Sequence, residues 1–147
     1  MEKVNAKAVR QNPIIEPGEY LARLVSVEAY PQEEGRIDYA VEIEIDRYSP
    51  EIDGTKLKAA LYGTPAGCVY IDRFFAAFRT GPESVAQAIG RYAVVRVTNA
   101  QFRDEQYSQV KFMFQSKQAR SHCEEAEKEN IALAHLHQAT KRMNGDH

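Results

Sequence analysis

Apolar and polar positions alternate twice between Arg91 and Phe114, "RYAVVRVTNAQFRDEQYSQVKFMF", around a polar middle. Alternation over four to eight residues marks a half-buried strand, because successive side chains point to opposite faces. Ala93, Val95 and Val97 therefore share the inward face of one strand, and Val110, Phe112 and Phe114 that of the next. A slip of one residue would turn both sets to solvent, so these faces are strongly specified. Three earlier stretches follow the same rule. "GEYLARLVSV", from Gly18 to about Val27, is β-rich and runs into the turn "YPQEEGR". In "IDYAVEIEID", Ile37, Tyr39, Val41, Ile43 and Ile45 lie on one face, with Asp38, Glu42, Glu44 and Asp46 on the other. After "SPEIDGT", a turn punctuated by Pro50 and Asp53-Gly54, "TKLKAALY" sets Thr55, Leu57, Ala59 and Leu61 against Lys56, Lys58, Ala60 and Tyr62.

The period then changes. In "TPAGCVYIDRFFAAFRTG", Ile71, Phe74, Phe75 and Phe78 stand at i, i+3, i+4 and i+7, the stripe of a core-facing helix. Thr64 is placed to cap it with Pro65 in the first turn, and Gly81 lies just past its end. Five strands with one helix between the third and fourth is the order of an OB-fold, a partly open Greek-key barrel. The predicted class is mainly β with minor α, an OB-fold-like barrel over residues 18–117. Residues 1–17, ending in "NPIIEPG", read as an extended lead-in. Residues 118–147 read as a tail that is helical from about Ser121 to Met143. Its apolar stripe is thin (Ala126, Leu133, Leu136, Ala139, Met143), and Lys141 and Arg142 suit the negative end of its dipole.

Composition narrows the function. The chain has 147 residues, enough for one domain with extensions. No apolar run approaches the ~20 residues of a membrane helix, so no membrane partner is expected. The opening "MEKVNAKAVRQNP" has no apolar signal-peptide core, which leads us to expect a cytoplasmic protein. Cys68 and Cys123, far apart and without CxxC spacing, are expected to be free thiols there. A formal net charge of −2 argues against a binder of duplex DNA driven by charge alone. It is compatible with stacking of bases on aromatic side chains aided by local cations.

Catalytic and metal chemistry find little footing. "GTPAGC" follows a strand and opens a helix, but it lacks phosphate-loop spacing and no Gly-Lys-Ser/Thr follows. His135 and His137 would point about 200° apart on a helix, and His122 beside Cys123 is no better placed to chelate. The acidic set on the second strand reads as a solvent face that discourages edge pairing. We therefore expect no catalytic residues, no metal and no cofactor.

The other polar faces are different. Strands three to five present Lys56, Lys58, Tyr62, Tyr92, Arg96, Tyr107 and Lys111. The loops that flank an OB-fold groove would add Tyr30 with Arg36, and Phe102 with Arg103. Tyrosines interleaved with cations suit single-stranded nucleic acid, each base offering a face to stack and the cations following the backbone. The expected site is thus Tyr62, Tyr92, Phe102 and Tyr107 as stacking platforms, with Lys56, Lys58, Arg96, Arg103 and Lys111 on phosphates. The rival expectation is a protein-interaction module, whose barrel and tail dock on a partner or on a second copy.

"EPGEYLARLVSVE", the acidic-aliphatic strand, "DGTKLKAALY", "FFAAFRTG" and "AIGRYAVVRV" before a hairpin give the chain a family likeness. Over roughly residues 14–116 it resembles small OB-fold proteins encoded beside phage replication and recombination genes. The resemblance implies single-stranded DNA, ahead of RNA, as ligand and implies no catalytic residue. Residues 118–147, read as helical and mixed in charge, depart from the acidic, glycine-rich tail of bacterial single-strand binders.

Overall fold

Alternation becomes one five-stranded antiparallel sheet in the computed structural model, which describes residues 2–145 and their side chains as far as Thr140. The side chains of Lys141, Arg142 and Met143, and all of His147, lie outside the described residues. The strands are β1 (Gly18–Pro31), β2 (Ile37–Ile45), β3 (Lys56–Leu61), β4 (Tyr92–Phe102) and β5 (Glu105–Phe112), in spatial order β3-β2-β1-β4-β5. Three helices accompany them: α1 (Ala6–Val9), α2 (Cys68–Phe78) and α3 (Lys117–Gly145).

β1 holds the sheet together by serving two neighbours. Gly18 to Arg23 pairs with β4, and Ala22 to Pro31 pairs with β2, with a register shift between Leu24 and Ser26. Such an irregularity bends the strand and increases its twist. The sheet curls enough for the β3 and β5 edges to come within 8 Å between Cα atoms. No ladder joins those edges, so the sheet is open in its hydrogen bonding. The β2–β3 turn is built as expected. The Asp53 carboxylate accepts from the Tyr48 and Ser49 amides at 2.8 and 3.1 Å, and Gly54 takes φ +91°.

The inward parity holds in every strand. Tyr39, Val41, Ile43 and Ile45 of β2, Leu57, Ala59 and Leu61 of β3, Ala93, Val95 and Val97 of β4, and Val110 and Phe112 of β5 are buried. They pack against Ile71, Phe74, Ala77 and Phe78 of α2. The Phe74, Phe78 and Phe112 rings meet at 5.0–5.8 Å between centroids, tilted or edge-on, as aromatic quadrupoles favour. Phe114 departs from the expectation: it lies past the end of β5 and is largely exposed.

Both ends of α2 differ from the sequence reading. α2 starts at Cys68 rather than beside Pro65, because Thr64 to Gly67 form a separate turn. Gly67 sits so close to the Tyr62 carbonyl that a Cβ would stand 2.1 Å from it. At the other end the left-handed residue is Arg79, φ +56°, not Gly81. The Arg79 guanidinium forms an ion pair with Glu127 of α3.

α3 starts four residues before the expected Ser121, capped by the Ser116 hydroxyl, which accepts from the Ala119 amide at 3.0 Å. Its first half covers the outer face of β1 and β4, burying Cys123 and Ala126 against Leu21, Tyr92 and Val94. Burial pushes the Cys123 thiol up to about 11, whereas Cys68 is exposed; both are free. Leu133 and Leu136, expected on the packing stripe, face solvent. No helix among the described residues is long and apolar enough to cross a membrane.

Candidate nucleic-acid interface

The lead-in is more than an extended approach to β1. Asn5 caps the single turn of α1, its side chain accepting from the Ala8 amide at 3.3 Å. Asn12 then enters the gap between β3 and β5. Its carboxamide nitrogen donates to the Lys58 carbonyl at 2.8 Å and the Ser108 carbonyl at 3.0 Å, and its oxygen accepts from the Lys58 amide at 2.8 Å. One buried side chain thereby stands in for a stretch of missing ladder. The Ile15 amide adds a bond to the Ser108 hydroxyl at 2.8 Å.

Beside this bridge the two edges enclose a groove of about 580 Å³. α1, β3 with its exit turn, the start of α2, and β5 all contribute to its lining. Five of the nine expected residues meet here: Lys58, Tyr62, Phe102, Tyr107 and Lys111. Tyr62 and Phe102 are exposed, and Tyr107 is half-buried. Two further residues join them, Tyr70 from α2 and Arg10 from the lead-in. Tyr70 had a weak signal in the sequence, as an aromatic residue off the Ile71, Phe74, Phe78 stripe. Arg10 had none, because only the path of the folded chain brings it here.

The remaining expected residues lie elsewhere. Arg103 occupies the two-residue β4–β5 turn at φ +55°, its guanidinium 5.4 Å from the centroid of the Phe102 ring. Arg96 is exposed on β4 and paired with Glu19 at 3.2 Å. Lys56 stands opposite Glu44, which also binds Arg23 at 2.7 Å. Neither Arg96 nor Lys56 lines the groove.

Tyr92 requires a correction. It is 1% exposed and cannot offer a ring face to a base. Its parity does point it away from the inner core, but that outer face is roofed by α3. Its hydroxyl donates to Asp46 at 2.6 Å and accepts from the Asn130 side chain. Burial, and then the bond to Asp46, hold its phenol above the usual tyrosine range. The roof of α3 also moves the candidate interface from the open sheet face to the seam between the edges.

The acidic strand is accounted for locally. Asp38 accepts from the Gly63 amide at 2.8 Å, Glu42 faces Lys58 across the ladder, Glu44 binds Arg23, and Asp46 holds Tyr92. None of these four lines the groove. Among the described residues no three His, Cys, Asp or Glu side chains gather in a way that could hold a metal ion.

The groove can therefore present flat aromatic surfaces and positive charge along an open channel. No protein-family model matches the chain and no curated protein matches it, so the meaning of this groove has to come from its own chemistry.

Proposed function

We propose that the chain is a non-enzymatic binder of single-stranded nucleic acid and that the strand lies in the groove between β3 and β5. The observation that carries this reading is the balance of its lining. Lys58 and Lys111 are joined there by Tyr62, Tyr70, Phe102 and Tyr107, and no carboxylate among the described residues lines the groove, in a chain whose formal net charge is −2. Stacking on such rings is tolerant of sequence, and a few cations suffice to track the backbone. The fold we propose is an OB-fold-like barrel whose seam is spanned by Asn12 in place of a full ladder. DNA ahead of RNA, in a phage-like replication or recombination setting, rests on the sequence resemblance.

Fluorescence anisotropy of labelled oligothymidine tests the site. Saturable binding is expected at low salt, weakening as salt rises, since each phosphate neutralised on a single strand contributes about 0.7 to the log–log slope. Lys111→Ala should reduce that slope by about one such step. Tyr62→Ala should cost ~1–3 kcal/mol in affinity with no loss of fold. An absence of binding at high micromolar protein in low salt rejects the reading.

A second reading has its own observation. Every described side chain of α3 from Ile131 to Thr140 is exposed, including Ile131, Leu133 and Leu136 at 59, 61 and 64%. We propose as the alternative that this half-helix docks on a second copy of the chain. Light scattering should then give a mass above the monomer that Leu133→Glu with Leu136→Glu returns to the monomer; a monomer in both cases rejects it.

A further inference from the structure

We propose that residues 2–11 form a strap that competes with nucleic acid for the groove, with Arg10 as its latch; this rests on the groove being the binding site. The guanidinium of Arg10 lies 4.3 Å from the centroid of the Phe102 ring and its Nε is 3.3 Å from Glu105. The ring face that a base would take on Phe102 is thus already covered by a group from the same chain. α1 also intrudes bodily: Ala6 and Val9 line the groove, and Val9 lines a neighbouring recess of about 290 Å³ that shares Lys58.

The attachment of this segment is uneven along its length. At Asn12 it is locked, with a buried carboxamide making three bonds to two strands. Ahead of Asn12 it is held lightly. α1 buries none of its residues, the Glu2 carbonyl accepts from the Gln32 side chain at 2.8 Å, and the Arg10–Glu105 pair is exposed. Segments with little burial and exposed bonds open at low free energy while their surroundings stay folded. Lifting residues 2–11 about a fixed Asn12 would free Phe102 and join the groove to the recess without breaking the seam.

The sign of one substitution separates a latch from an ordinary phosphate contact. Removing a cation from a nucleic-acid groove weakens binding when the cation meets the backbone. Removing a latch that competes with the ligand strengthens it. Arg10→Ala in the full chain is expected to bind labelled oligothymidine about three- to tenfold tighter than the unaltered protein at low salt. Trypsin cleavage after Lys7 is expected to speed up when saturating oligothymidine is added, because the strap must lift. Weaker or unchanged affinity of Arg10→Ala, or cleavage that oligothymidine slows or leaves unchanged, overturns the strap and leaves the groove standing. No binding by either protein overturns both.

Discussion

Tyr92→Ala is expected to lower the stability of the folded chain by about 3–5 kcal/mol, the cost of emptying a well-packed aromatic site. The ring fills the contact between Leu21 and Val94 of the sheet and Cys123 and Ala126 of α3. Its loss also takes from Asp46 and Asn130 the hydroxyl they share, leaving each with Arg47 as side-chain partner. Tyr92→Phe keeps the ring and removes the hydroxyl alone, so it should cost less, about 1.5–3 kcal/mol, the range for a hydrogen bond to a charged group. The pH dependence follows from the raised phenol. A group whose folded pKa lies above its unfolded value stabilises fully below the unfolded value, and that contribution disappears as pH rises through the folded one. Tyr92 therefore contributes stability up to about pH 10 and loses it above, and Tyr92→Phe should flatten that alkaline fall. Urea midpoints of the three proteins between pH 7 and 11 check both points. An alanine variant as stable as the parent would show that α3 does not cover β4 as described.

Asn12→Ala is expected to cost about 2–4 kcal/mol, because it leaves the Lys58 amide and carbonyl and the Ser108 carbonyl without their partner in a partly buried gap. Only a carboxamide serves all three, with one acceptor and two donor positions on the same plane. Asn12→Asp keeps the acceptor but brings a negative charge to two carbonyls, so it should be no better than alanine. Hydrogen exchange gives the sharper readout. The Lys58 amide should lose protection in either variant while the Ala59 and Leu57 amides, within the β2–β3 ladder, keep theirs. Unchanged exchange at Lys58 would mean that the seam is held by something other than Asn12.

The parts of this molecule legible in its sequence are those decided by neighbours along the chain. Alternation in β2 and β4 and the Ile71, Phe74, Phe78 stripe gave correct inner faces because burial on one side leaves a period that local residues must obey. Asp53-Gly54 gave a turn for the same local reason. What covers the outer face is not local. Tyr92 stands 31 residues before Cys123 and 38 before Asn130, and α3 meets it through a cysteine, an alanine, a glutamate and an asparagine. A helix that docks through small and polar residues has no apolar period to announce it, so Leu133 and Leu136 drew the stripe to the wrong turn. Asn12 is a similar case, a single polar residue in a polar lead-in whose partners lie 46 and 96 positions away. The site itself was half legible: the residue types were in view, but the seam that selects five of the nine is a property of how the sheet curls.

Asn12 is followed by Pro13. An asparagine ages to aspartate chiefly when the next backbone nitrogen attacks its carboxamide and closes a ring, and a proline nitrogen carries no hydrogen for that step. The Asn12 carboxamide that ties β3 to β5 is therefore shielded from the slow chemistry that would turn it into a carboxylate facing two carbonyls. Pro13 thus closes that route of ageing at the seam.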